Sequence, residues 1–270
     1  AYVYMLRYYV KKSYNEEPRE VTTPSDEHMW VYGSEVSSDE LLYLADTYHI
    51  DNGVLKDVLD KHELPRVEYA KGVLYVFLRA PHATPSDGIS SVPFLTVIKN
   101  STLLTLSSRS YLTPDDLFQN VRFSMRSNKH VFLQIVSYVI KQYQEYIQQT
   151  GAYIHNTKKR LETHEVDTKD FLKFVTVESD LNEYTTDLTA IQTVLARLRE
   201  NKHQLFTDND CEYIDDIVLH TNQLLVSVKS HTQAITSIRN AYSTISNTTL
   251  NRRMKTLTLL TLLVALPNVF

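Results

Sequence analysis

The sequence predicts an α+β or α/β N-terminal domain followed by long, antiparallel, coiled-coil-like helices that lead into a membrane helix. Three observations carry that prediction. Within roughly the first 110 residues, four β-branched and aromatic runs are bounded by Gly, Pro, Asn or Ser. Between Pro114 and Pro267 there is no proline, and Gly151 is the only glycine after Gly88, so helix breakers have almost vanished. After Lys255 come 15 uncharged, Leu/Thr-rich residues, TLTLLTLLVALPNVF. These divide the chain into an α/β part over 1–112, a helical hairpin over 113–207 and one long helix over 208–270, with its membrane segment from about 254.

In the first part, YVYMLRYYV (2–10), VLYVFLRA (73–80), VPFLTVIK (92–99) and TLLTLSS (102–108) read as strands, with Pro65, Pro81, Pro85 and Pro93 as punctuation. The opening stretch AYVYMLRYYVKK carries its charges after the apolar residues, which is a strand pattern rather than a signal peptide. Ser37 with Glu40 three residues on forms a capping box ahead of Leu41, Leu42, Leu44 and Ala45. VLKDVLDKH places Val54, Leu55, Val58 and Leu59 on one helical face.

Two long helices are expected over 129–163 and 168–206, separated near EVDTK. A third starts at FTDND, with Thr207 or Asp208 as N-cap and acids crowding its first turn. Ile214, Thr221, Val228, Ile235, Tyr242 and Thr249 recur at heptad spacing, and Ile217, Leu224, His231, Ile238 and Ile245 fill the second position of the same repeat. That seam specifies helix–helix packing, and its polar members fix register.

Several function classes are excluded by composition. A formal net charge of −4 argues against nucleic acid as partner. Cys211 stands alone, so there is neither an internal disulfide nor a multi-cysteine zinc site. The 5 glycines are too scattered for a phosphate cradle, and no HExxH, GxSxG or CxxC occurs. Enzyme chemistry is therefore not expected.

A 15-residue helix rises about 22 Å, short of the 20 or so residues that cross a bilayer, yet this run is too apolar for a solvated end. A buried core helix is one reading. Arg252, Arg253 and Lys255, directly before the run, favour the other, a lipid bilayer entered at its cytoplasmic boundary. The tail is then the truncated start of a first transmembrane helix.

YSTISNTTLNRRMKTLT (242–258) resembles the end of the long helix in CorA-type magnesium/cobalt transporters, where Ser-Asn, Asn and Met-Lys-x-Leu-Thr lead into the membrane. DVLDKHELPRVEYAKGVLYVFLRA (57–80) and YIDDIVLHTNQL (213–224) are similar to two further signatures of that family, in the same order. The resemblance implies a homopentamer in the cell membrane, with this portion cytoplasmic, that passes Mg²⁺ and takes Co²⁺ or other divalent cations. It also implies that Mg²⁺ bound between subunits, by Asp57 and Asp216, holds the pore closed. Mg²⁺ keeps much of its water and is held by one or two carboxylates, which suits a weak sensor. His220, four residues after Asp216, is a candidate ligand for a softer ion. Asn251, Met254, Leu257, Thr258, Thr261, Ala265 and Asn268 are the expected pore lining, with Met254 and Leu257 as an apolar constriction. Two departures stand out: Lys56 beside Asp57 and Asn240 below the pore, where relatives often carry acids. A zinc or cobalt transporter on the same scaffold, or a membrane-tethered coiled-coil adaptor without a pore, remain open alternatives.

Overall fold

A computed structural model describes residues 6–10, 18–22, 29–84, 88–119, 123, 125, 127–162 and 168–265. Seven strands, β1 (Leu6–Val10), β2 (Arg19–Val21), β3 (Met29–Ser34), β4 (Arg66–Ala70), β5 (Val73–Thr84), β6 (Gly88–Lys99) and β7 (Thr102–Ser107), form one sheet. Its order is β2-β1-β3-β7-β6-β5-β4, and only the β3–β7 pair is parallel. Helices α1 (Ser38–Tyr48) and α2 (Asn52–Lys56), the latter continued by a single 3-10 turn at Asp57–Leu59, precede β4. After the sheet come α3 (Pro114–Phe118), α4 (Asn128–Glu162), α5 (Thr168–Arg199) and α6 (Asp208–Ala265).

The period-two pleat of the strands builds two cores. Leu74, Val76, Leu78 and Ala80 of β5 point toward the α4–α6 side, whereas Val73, Tyr75 and Phe77 point toward α1 and α2. The sheet is thus sandwiched between a small helical layer and a large one. Strand β3 contributes to both, with Trp30 and Tyr32 to one core and Met29 and Val31 to the other. A run buried on both faces shows no alternation, which is why MWVYGS escapes the search for a half-buried strand.

Pro81, expected just after a strand over 73–80, and Pro93, expected near the start of one over 92–99, both lie inside longer strands. Pro81 pairs with Ser91, and Pro93 with Arg79, in the β5–β6 ladder. Strand β4 covers β5 only as far as Phe77, and β7 covers β6 only from Phe94 onward. Each proline therefore stands where its strand has one neighbour, so its missing N–H costs no ladder bond on the open side.

The helical expectations are met with adjusted ends. Ser37 N donates to Glu40 Oε2 at 2.8 Å and Glu40 N to Ser37 Oγ at 3.3 Å, completing the capping box. The predicted helix over 54–62 stops early, since Asp60 adopts extended backbone. Helix α5 ends at Arg199 rather than 206, because Asn201 takes a left-handed φ of 46° and its amide bonds both Phe206 N and Phe206 O. Thr207 is the cap of α6: its Oγ1 accepts from Asp210 N at 3.2 Å, and its own N and Oγ1 donate to Asp210 Oδ2 at 3.0 and 2.7 Å.

Helix α5 runs antiparallel to both its neighbours, with Tyr143 of α4 meeting Asp187 and Glu178 meeting Arg239 of α6. The α6 seam packs inward as its heptads require: Ile214, Thr221, Val228 and Ile235 are 0% exposed. Buried Thr221 gives its hydroxyl proton to Ile217 O at 2.8 Å, so this polar seam residue carries no unmet bond. At 58 residues α6 is about 87 Å long, while α4 and α5 hold 35 and 32, so its far end outruns their cover.

Candidate functional site

Asp57 caps the C-terminus of α2, where buried Val58 beside it anchors the turn to the core and leaves the carboxylate outward, 44% exposed. It is not free. Arg66, the first residue of β4, donates Nη2 to Asp57 Oδ2 at 2.6 Å and Nε to Glu68 Oε1 at 2.6 Å, and it also pairs with Glu63. The guanidinium lies 4.0 Å above the Phe77 ring centroid. Three carboxylates thus converge on one fixed cation. The sequence reading missed this, although the alternation of Arg66 and Glu68 on one strand face was available.

Asp216 lies on the outward side of α6 between inward-facing Ile214 and Ile217. It is exposed and has no hydrogen bond or ion pair among the described residues, whereas neighbouring Asp215 is held by Arg199 Nε at 2.7 Å. Asp57 belongs to the small helical layer and Asp216 to the large one, with the sheet between them. No contact joins the two within the chain.

His220 does not turn to Asp216. Its Nε2 lies 3.1 Å from Gln144 Oε1 on α4, in a groove lined also by His130, Lys141 and Tyr213. Among the described residues no group of three His, Cys, Asp or Glu could hold a metal ion.

Beyond Asn247, α6 stands clear of the rest of the chain: Asn251, Met254, Leu257, Thr258 and Thr261 are all exposed, Met254 by 58% and Leu257 by 67%. The rod does not break before Arg252, nor does it fold back. Thr258 Oγ1 donates to Met254 O at 2.9 Å and Thr261 Oγ1 to Leu257 O at 2.8 Å, so both keep lone pairs for an outer donor. Ala265 is the last helical residue described, and Asn268 lies outside the described residues. Among the described residues no helix is long and apolar enough to cross a membrane.

One further polar cluster was not visible beforehand, because its members come from four elements. Tyr143 donates to Asp187 Oδ2 at 2.9 Å, Arg79 Nε lies 3.5 Å from Asp187 Oδ1, and Arg79 also donates to Ser91 Oγ and to the carbonyls of Lys61 and Glu63. Burial raises the Asp187 carboxyl above its ordinary range, against the opposing pull of Ser91, Tyr143 and Arg79, and it raises the Tyr143 phenol. This cluster joins the large helical layer to the loop after Asp57.

The molecule is therefore a mixed-sheet sandwich carried on a helical rod whose distal end is stripped of cover. Residues 25–270 match the family described as CorA-like Mg2+ transporter protein, and the chain belongs to that family. It is 24% identical over 246 residues to the cobalt/magnesium transport protein CorA of Methanocaldococcus jannaschii, covering 88% of this chain and 76% of that protein. The complete structure of the CorA magnesium transporter from the same organism superposes with a TM-score of 0.83 at 19% identity, covering 96% of this chain and 82% of that one. The ZntB cytoplasmic domain from Vibrio parahaemolyticus gives 0.73 at 11% identity, with 90% and 98% covered. These two likenesses are of fold.

Proposed function

We propose that this chain is the sensing and pore-forming portion of a homopentameric Mg²⁺ channel or transporter whose pore is held closed by Mg²⁺ bound between subunits. One observation supports the reading above others: the outward heptad positions of α6 form a single exposed stripe that includes Asp216, Gln223, Ser230, Ser237, Thr244, Asn251 and Thr258. Of the expected pore residues, Asn251 and Thr258 fall on this stripe, and Met254, Leu257 and Thr261 flank it. From Leu219 to Thr261 the stripe holds no ionisable residue. The outer face of a solvated helix normally carries charge. A neutral stripe rich in amides and hydroxyls, with exposed Leu219, Val226 and Met254 among them and Lys229 at its flank, suits a conduit for a hydrated cation instead.

The chemistry follows from the donor set. A hexahydrated cation presents water protons outward, so it is held best by groups that accept. Thr258 and Thr261, their own protons given to the preceding turn, offer only lone pairs. Met254, ringed five-fold, narrows and dries the path. At the sensor, Asp57 of one subunit faces Asp216 of the next. A divalent ion offsets their repulsion and ties the rods together; its loss leaves two like charges that push the interface apart. The ion itself moves down its gradient with no chemical step.

Native mass spectrometry with and without millimolar Mg²⁺ tests this. A pentamer promoted by Mg²⁺ and weakened in Asp57→Ala and Asp216→Ala is the expected result. A pentamer indifferent to both substitutions removes them from the sensor.

A further inference from the structure

The donor set at the sensor fits a hard divalent ion: two exposed carboxylates, no nitrogen or sulfur, and a cation already seated on one of them. We propose that Arg66 is a built-in counter-cation that occupies Asp57 when Mg²⁺ is absent and competes with Mg²⁺ for it, setting the concentration at which the sensor fills. This inference rests on the reading of Asp57 as a Mg²⁺ ligand.

The geometry carries it in three steps. Arg66 contacts Asp57 Oδ2 at 2.6 Å, so an incoming ion must share that carboxylate or displace the guanidinium. The guanidinium is not a loose surface group, because Phe77 beneath it and Glu63 and Glu68 beside it fix its position. Those same two glutamates give it somewhere to remain when Asp57 is taken. Release of Asp57 thus leaves Arg66 paired rather than stranded, and the exchange is reversible. Without a resident cation, vacant Asp57 would face Glu63 and Glu68 unscreened.

The competing pair is partly exposed, so its strength lies in the range of exposed ion pairs, up to about 1 kcal/mol, which corresponds to an affinity change of up to about five-fold. Isothermal titration of the whole protein with MgCl₂ reads it directly. Arg66→Gln is expected to tighten Mg²⁺ binding by about three- to five-fold. Arg66→Lys, which keeps the charge, stays near the wild type. Lys56→Gln removes the same charge one residue from Asp57, and no ion pair to Asp57 is formed by Lys56. It reports the through-space effect alone and is expected to tighten binding less than Arg66→Gln.

Equal shifts in Lys56→Gln and Arg66→Gln overturn specific competition, and so does weaker binding in Arg66→Gln, which marks Arg66 as a support for the metal-binding geometry. Asp57→Asn separates the two levels. If it leaves Mg²⁺ binding unchanged, the sensor reading itself fails; if it abolishes binding while Arg66→Gln changes nothing, only the competition fails. Circular dichroism melts of each variant show whether a loss reflects unfolding; if Arg66→Gln does not fold, Arg66→Met, which removes the charge but keeps an apolar stem over Phe77, carries the same expectation and the same refutation.

Discussion

Gly151 is the one glycine in the three long helices, and α6 presses against it. A Cβ at this position would lie 2.6 Å from His231 Nε2 and 2.7 Å from His231 Cε1, where ordinary contact begins at 3.4 Å. The Gly151→Ala variant gains about 1 kcal/mol of helix propensity. It also forces an overlap of the kind that costs about 1–3 kcal/mol in packed sites. The net expectation is a loss of zero to about 2 kcal/mol, although the same change on an exposed helix face would stabilise. His231→Ala removes the ring that is struck. Gly151→Ala combined with His231→Ala should therefore recover the propensity gain, giving a coupling of about 1–3 kcal/mol between the sites. Urea denaturation followed by circular dichroism at fixed protein concentration measures all four corners of the cycle. A Gly151→Ala protein more stable than wild type by about 1 kcal/mol, with additivity to within about 0.5 kcal/mol, would refute the close crossing.

Burial lowers the His231 pKa below its ordinary value of 6.5, so the folded state prefers the neutral ring. The unfolded chain then takes up the proton first, and stability falls as the pH drops below about 6.5; His231→Gln flattens that slope in thermal melts taken between pH 7 and 5. Asp187→Ala leaves Tyr143 and Arg79 without their shared acceptor and is expected to cost about 3 kcal/mol in denaturant titrations, the range for breaking a buried ion pair. Asp187→Asn, which keeps an acceptor for Tyr143, costs less. Met254→Ala widens the proposed apolar ring and is expected to raise Mg²⁺ uptake into proteoliposomes severalfold, whereas Thr256→Ala, off the outward stripe, leaves uptake near wild type.

Local signals were legible. The Ser37–Glu40 box and the seam from Ile214 to Ile238 each depend on residues within a turn or a heptad of one another and are found as expected, and of the two caps expected for α6, Thr207 or Asp208, the fold uses Thr207. Elements fixed by distant partners were not. Strand β3 lies between β1 and β7, which come from opposite ends of the N-terminal part, and its five consecutive buried residues offer no alternation to detect. Strand β4 is a half-exposed edge strand whose five residues, RVEYA, carry two charges. At the site, Asp57 and Asp216 could be singled out, but not the state of either. Arg66 is nine residues from Asp57 in sequence, and the Gln144 that claims His220 is 76 residues away. Spacing along one helix suggested an Asp216–His220 pair; in the fold His220 Nε2 lies 3.1 Å from Gln144 Oε1 of the neighbouring helix.

The heptad that sets the inner face of α6 also explains why its far end is bare. Counted onward from Tyr242 and Ile245, the next seam positions are Thr249 and Arg252, so the apolar inner stripe ends in a basic residue. The last ring contact to α5 is Phe174 on Tyr242. From Asn247 to Ala265 the helix advances a further 27 Å or so, a length that neither α4 nor α5 accompanies. Exposed leucines then appear on all sides, at 250, 257, 259, 260, 262 and 263, and a helix that is apolar all round needs surroundings other than water. Arg252, Arg253 and Lys255 stand directly before that apolar surface, the position basic residues take at the cytoplasmic side of a membrane helix. The inner seam thus ends where the apolar surface begins, while the neutral outward stripe runs through both regions unbroken. A rod that only needed anchoring would have no reason to hold that stripe free of charge on its watery side, and this continuity favours a conduit over a tether.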